Sequence, residues 1–579
     1  MTDPRRAVLW FVFMFSLVLI WDAWNKHNGQ PSMFGPAPVA KVASAPAAPT
    51  PTPSASGLPT PSSAAAPAVT PVAAPVAAPA GAPVASEQVT ITTDVVKATL
   101  DTKGGTLARL ELLTQPDQND RAKNIVLFDQ SAQRLYNAQT GLIPPAGGTG
   151  LPNHHTAMTV APGERTLKDG SNTLQLRFES PDQGGVKLVK TYTFRRGDYV
   201  IGVKHEVVNT GSAPVNPRLY LQLVRDGNPP AGESSFYFTF TGPAVYSSVK
   251  HFEKVDFKSI EKRTPQDKAN HVTSAEDGWV AMVQHYFASA WLVDNTGWAK
   301  QPRDFFTGKV DTNTYSVGMI LPIGEIAPGQ TKAVDAQLFA GPQEENKLAA
   351  LAPGLELVKD YGYFKVLAEP LFWLLTQLHK LIGNWGWAIV ALVVLLKIGF
   401  YWLNASAYRS MAKMKAINPK IMEMRERLKD KPQQMQQEMM RIYREEKVNP
   451  LGGCLPILVQ MPFFIALYWV LLSSVEMRGA SWFWVPDLAQ PDAFIVLPFV
   501  HMPIGVLPVL MTLSSLVQTW LNPTPPDPVQ ARMMWIMPLV FSFMFFFFPA
   551  GLVLYWLTNN LLSIAQQYVI NKRLGVIGK

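Results

Sequence analysis

A single lysine, Lys397, interrupts the otherwise uncharged stretch from Leu381 to Leu403. If that stretch crosses a bilayer as one helix entered near Trp385 and Trp387, a rise of about 1.5 Å per residue puts the lysine roughly 15 Å down. That is near the middle of a hydrocarbon core about 30 Å thick. An ammonium there costs at least about 2.5–3.5 kcal/mol and ordinarily faces a protein interior or a water-filled cavity. The plainer alternative is a side chain snorkelling toward the headgroups. A fixed cation at that depth can attract polar or acidic groups and keep water beside them.

Polar side chains recur in the neighbouring apolar segments, all in the half nearer the cytosol. Tyr401, Asn404 and Tyr408 follow Lys397 at helical spacing. Gln460 lies in a second segment, Thr512, Ser515 and Gln518 in a third, and Tyr555, Trp556, Asn559 and Ser563 in a fourth, followed by Gln566 or Gln567. Any one of them alone reads as glue between helices. Agreement across four segments describes a hydrophilic groove open to cytosol and lipid, with Lys397 at its inner end. Val390, Val393, Val394, Ile504 to Leu510 and Leu552 to Leu554 close the outer half. A channel needs polar lining in both halves, so the pattern is a half-crossing. Phe463, Phe464, Phe545 and Phe546 offer a hydrophobic slide for a passing apolar segment, or else ordinary lipid-facing surface.

These segments belong to a polytopic α-helical membrane protein. The 579 residues are 47% hydrophobic and 16% charged, which suits a mixture of membrane-embedded and soluble parts. The net charge of +8 does not call for a specific nucleic acid, because the basic residues gather at cytosolic flanks of the apolar segments. Arg5 and Arg6 precede an apolar run from Ala7 to Trp24, predicting an uncleaved signal-anchor helix over 1–25. Residues 26–87, rich in Pro, Ala, Ser and Thr, read as a linker. Over 88–345 short alternating runs such as Leu174 to Phe178, Lys190 to Phe194 and Arg218 to Gln222, with turns such as Asn209-Thr210-Gly211, predict a large all-β sandwich outside the cytosol. Cys454 is the one cysteine, so no intrachain disulfide can form.

The region 353–383 reads as an amphipathic edge helix, with Leu371, Leu374, Leu375, Leu378 and Leu381 at helical spacing and Pro370 starting its second part. The alternative is packing against the sandwich. The core spans 384–571, with further crossings at 455–475, 504–521, 533–548 and 551–570. Pro549-Ala550-Gly551 turns between the last two, and 493–503 forms an external interfacial piece. Between the first two crossings a basic helical hairpin at 405–449 is fixed inside by Arg409, Lys413, Lys415, Lys420 and others. Asn418-Pro419 is expected to start one of its helices and Pro432 the other. Met411, Met414, Met422, Met424, Met435, Met439 and Met440 either capture apolar clients or pack the hairpin itself. With the anchor there are six transmembrane helices and a short basic tail at 572–579 in the cytosol.

Ser410 to Met414, Glu445 to Cys454, Gln460-Met461-Pro462 and Phe548 to Tyr555 closely resemble the YidC family of membrane protein insertases. The resemblance extends over nearly the whole chain in its Gram-negative form. It implies a periplasmic β-supersandwich, a five-helix insertase core, and a chaperone and insertase of the bacterial cell inner membrane. Nascent membrane proteins, the ribosome, the Sec translocon and the phospholipid bilayer are the implied partners. No cofactor or metal is implied, and no catalytic residue. Lys397 departs from the arginine typical of the family at that position; charge is kept, but the bidentate fork is not.

Two other classes compete. A solute transporter or channel is disfavoured by the apolar outer half and the lack of an intramembrane acid. An enzyme is suggested by a sandwich of this size, which resembles mutarotase-like folds, with His154, His155, His205, His251, His271 and His285 as candidate bases. Their spacing indicates neither a metal site nor a catalytic pair.

Overall fold

Alternating burial organises the first half of the chain and continuous apolar helix the second. The computed structural model describes residues 86–118, 120–145, 150–230, 239–264, 267–293, 302–428, 431–446, 455–497, 502–522 and 528–573. The expected anchor, nearly all of the expected linker, Cys454 and the end of the basic tail lie outside these residues. The chain divides into two compact units that meet in sequence at residues 359 and 360.

The β unit consists of two nine-stranded antiparallel sheets. Leu135–Ile143, Arg218–Asp226 and Thr314–Pro322 form the middle of one sheet. Thr331–Pro342, Val200–Asn209 and Val186–Arg195 do so in the other. Thr173–Glu179 alternates buried and exposed along its length, as a strand with one face on a core must. The Trp291 indole ties the layers by donating to the Gln222 carbonyl at 3.1 Å. The predicted turn is present: Asn209 ends its strand and accepts from the Gly211 amide at 3.0 Å. Lys190 is fully buried and donates to the carbonyls of Gly104 and Thr140 at 2.6 and 2.8 Å. His205 stands opposite it in the ladder.

The helical unit contains α1 (Lys365–Ile382), α2 (Trp385–Gly399), α3 (Tyr401–Arg427), α4 (Pro432–Glu445), α5 (Leu455–Ser473), α6 (Val506–Leu521), α7 (Pro528–Phe545) and α8 (Ala550–Arg573). α1 packs on α2 and α5; its Leu371, Phe372 and Leu375 are buried, while Val366, Trp373 and Leu381 are exposed. Pro370 lies inside α1 rather than starting a new helix. Asn384 caps α2 by accepting from the Trp387 amide, and Gly386 lies so close to Trp482 that a Cβ would collide with its indole. The turn expected at Pro549-Ala550-Gly551 falls earlier, between Phe545 and Pro549, and Ala550 and Gly551 already belong to α8.

Several expectations are corrected. The stretch containing Lys397 is not one helix: it breaks at Phe400, and α2 and α3 meet at a 69° bend. Gly399, whose backbone is the least costly to divert, precedes the break. Among the described residues no single helix is long and apolar enough to cross a membrane; the bent pair α2–α3 reaches that length and composition only when its two helices are taken together, and shorter apolar helices occur in α5, α6 and α7. Asn418-Pro419 starts no helix. Pro419 sits within α3 on an exposed face, where water can satisfy the carbonyl it leaves unbonded. The expected interfacial piece contains two short paired strands, Ile495–Leu497 and Met502–Ile504. In the hairpin, Met414, Met424, Met435 and Met439 pack around Ile417 and Ile421, whereas Met422 and Met440 are exposed.

The two units differ in their large exposed apolar side chains. Among the described residues, Val249 and Val310 alone belong to the sandwich; the rest lie on the helical unit, with α7 exposing Met533, Trp535, Ile536, Leu539, Val540 and Phe541. Such a surface suits lipid, not water.

Candidate functional site

Five of the described helices line a partly open cavity of about 300 Å³. From α2 come Val393, Leu396 and Lys397, with Phe400 at the bend. Asn404, Ala407, Tyr408 and Met411 come from α3, and Gln460, Met461, Phe463 and Phe464 from α5. Gln518 of α6, with Asn522 at its end, and Tyr555, Asn559 and Ser563 of α8 complete it. Among these residues Lys397 carries the only charge.

Lys397 lies in the last turn of α2, where a cation is favoured by the helix dipole. Its amine donates to the Ser563 hydroxyl at 2.7 Å, and Ser563 in turn donates to the Asn559 carbonyl at 2.7 Å. Across the cavity the Gln460 amide donates to Asn404 Oδ1 at 2.8 Å, joining α5 to α3. Gln567 donates to Asn522 Oδ1 at 3.0 Å, linking α8 to the end of α6. Ile389 and Leu392 of α2 and Leu552, Val553 and Leu554 of α8 are buried, so apolar packing lies on the other side of Lys397.

Of the residues singled out from sequence, Lys397, Asn404, Gln460, Gln518, Tyr555, Asn559, Ser563, Phe463 and Phe464 come together here. Tyr401 does not. The bend turns it away to a second cavity, where its carbonyl accepts from Gln566 at 3.3 Å. Thr512 faces a cleft between α6 and α7 with Phe546, and Ser515 another that includes Phe545 and Gln518. Both hydroxyls are satisfied within α6, by the carbonyls of Pro508 and Met511. Trp556 supports the wall from behind, stacked on Phe464 at 5.5 Å and set against Phe545 at 4.6 Å. Phe545 and Phe546 therefore do not line the Lys397 cavity.

Sequence reasoning missed Phe400, Asn522 and Asn560. Asn522 was signalled by the Asn-Pro stop that ends α6. Asn560 bonds Ser514 and Ser515 at 3.3 and 3.2 Å and is glue between α8 and α6. In the β unit, His205 and His271 are paired with the hydroxyls of Thr140 and Thr307 at 2.9 and 3.0 Å, and His154 with that of Tyr220. Burial holds His154 and His205 down at about 3, so both are neutral structural groups. Among the described residues no three metal-binding side chains cluster.

Residues 88–374 match the family described as YidC periplasmic domain, and residues 377–576 that described as 60Kd inner membrane protein. A protein of Janthinobacterium sp. (strain Marseille) named Membrane protein insertase YidC is 53% identical over 578 residues, covering 99% of this chain and 100% of the relative. Its namesake in Cupriavidus taiwanensis is 52% identical over 575 residues, covering 99% and 98%. A solved structure described as "Active YidC insertase crystal structure with the first transmembrane domain resolved" is 20% identical, covers 84% of this chain and 93% of its own, and gives a TM-score of 0.37.

Proposed function

The chain belongs to the YidC family of membrane protein insertases, inner-membrane proteins with a periplasmic domain, and from this premise we propose that the Lys397 cavity is the groove through which its clients' polar tails pass. The observation that carries the proposal is one cation at the boundary between polar lining and buried apolar packing. A tail entering beside Asn404, Gln460, Asn559 and Ser563 exchanges hydrogen bonds with water for hydrogen bonds with the wall, so the apolar thickness still to be crossed shrinks. The client's own hydrophobic segment then moves into lipid past Phe463 and Phe464. At about 25 cal/mol per Å² of apolar surface removed from water, that transfer supplies the driving force. The protein lowers the barrier and forms no covalent intermediate.

The protein crosses the inner membrane six times with both termini in the cytosol and the sandwich in the periplasm. Arg409, Lys413, Lys415 and Lys420 on α3 support this orientation. The hairpin formed by α3 and α4 meets the ribosome, and the core inserts and chaperones clients alone or with the Sec translocon. The exposed Met422 and Met440 suit contact with apolar segments.

The test is photocrosslinking to a ribosome-stalled client. Probes at Asn404 and Asn559 should capture its polar tail, while probes at Tyr401 and Thr512, outside the cavity, should not. Equal capture from all four positions would dismiss the groove as the route.

A further inference from the structure

Lys397 also lines a second cavity, of about 560 Å³, between α2, α3 and α8. Its wall is apolar and open: Val394 and Ile398 of α2 and Val569 of α8 all present exposed side chains, Ile398 at 65%. Its rim carries two arginines from different helices. Arg409 lies two turns beyond Tyr401 on α3, and Arg573 one turn beyond Val569 on α8, so helical periodicity holds each on the cavity face. No aspartate or glutamate lines the cavity. Among the described residues neither arginine has an ion pair or side-chain hydrogen bond.

We propose that this cavity binds one anionic phospholipid, with its phosphate held between Arg409 and Arg573 and an acyl chain lying along Val394, Ile398 and Val569. Charge complementarity selects the occupant. Two guanidiniums without acids match a phosphate, which each can grip through paired N–H donors, and the wall beneath them matches a hydrocarbon chain. Cations needed only for orientation have no reason to converge from two helices on one apolar cavity. The headgroup's position in the cytosolic leaflet rests on the orientation proposed above; binding itself does not.

Native mass spectrometry of the full-length protein in detergent micelles tests this independently of topology and insertion. Phosphatidylglycerol and phosphatidylcholine with identical chains are titrated in turn. The wild type should prefer phosphatidylglycerol, and Arg409→Gln with Arg573→Gln should weaken that lipid about tenfold, a change of about 1.4 kcal/mol, to the level of phosphatidylcholine. Ala565→Trp, which fills the cavity and spares both arginines, should weaken both lipids. Lys413→Gln with Lys415→Gln, an equal loss of charge outside the cavity, should change neither. Should the double arginine variant fail to fold, each single variant serves, with an unshifted melting temperature as the requirement. Unchanged lipid preference in the arginine variants, equal loss in the lysine control, or displacement of the lipid by millimolar inorganic phosphate each overturns the proposal.

Discussion

Replacing Lys397 separates its charge from its structural role. In Lys397→Ala the Ser563 hydroxyl loses the amine at 2.7 Å but keeps its own bond to the Asn559 carbonyl. Losing a charged hydrogen bond costs about 1.5–3 kcal/mol, and removing a poorly solvated cation returns a comparable amount. The melting temperature should therefore stay within a few degrees of wild type. Client binding behaves differently. A carboxylate held ~8 Å from the amine, in surroundings of effective dielectric about 20, gains about 2 kcal/mol, or about thirtyfold in occupancy of the groove. The assay is insertion into proteoliposomes of two clients that differ only in an acidic or a neutral translocated tail, scored by protease protection. The alanine variant should lose roughly an order of magnitude or more on the acidic client and much less on the neutral one, Lys397→Arg should retain both, and Lys397→Glu should oppose the acidic tail outright. Equal activity of wild type and alanine variant on both clients refutes the reasoning. So does an equal loss on both accompanied by a large drop in melting temperature, because Lys397 would then be acting through the fold.

Gly386→Ala places a Cβ in the Trp482 indole, and overpacking of this kind should destabilise the helical unit by about 1–3 kcal/mol; a thermal melt of the purified protein reads it, and an unchanged midpoint would show that the indole swings aside freely. Lys190, held by burial at about 7 against about 10.5 when unfolded, leaves the unfolded chain binding the extra proton between those values, so sandwich stability should rise as pH climbs through that window and level off below about 7. His154 and His205, held at about 3, should add a second rise between pH 3 and 6.5. Hydrogen exchange at Val186–Arg195 follows both windows, and Lys190→Met should abolish the upper one while leaving the lower. Deleting 88–340 should spare insertion of small clients, since the polar cavity lies wholly in the helical unit; a stable but inactive truncated protein would assign the sandwich a part in the reaction.

The β unit was legible because alternation in runs such as Leu174 to Phe178 reports directly which face is buried. The apolar helices were legible from composition and from the stop at Pro549. What escaped the sequence was the bend at Phe400. Placing Tyr401 with Asn404 on the Lys397 face assumes one continuous helix, and a 69° break resets the phase, sending the two side chains into different cavities. No proline marks the break. Thr512 and Ser515 failed for another reason: hydroxyls in an apolar helix can return to their own i−4 carbonyls, so a hydroxyl alone does not decide which cavity it faces; Ser563 makes the same bond and still lines the Lys397 cavity. Gln460, Asn404 and Asn559 have no such local outlet sufficient for both ends of the amide, and they were the more faithful guides to the cavity.

The same break makes α3 a lever. Its 27 residues run from the cavity wall at Asn404 into the hairpin with Pro419 inside them, about 40 Å at 1.5 Å per residue, with Phe400 as the fulcrum. A tilt of about 5° about that point would carry the far end roughly 3.5 Å while moving Asn404, about 6 Å out, by only about 0.5 Å. The gearing runs both ways: a large displacement at the hairpin is reduced to a fine adjustment of the Gln460–Asn404 contact, and a small widening at that contact is magnified into a movement that a body docked on the hairpin would feel.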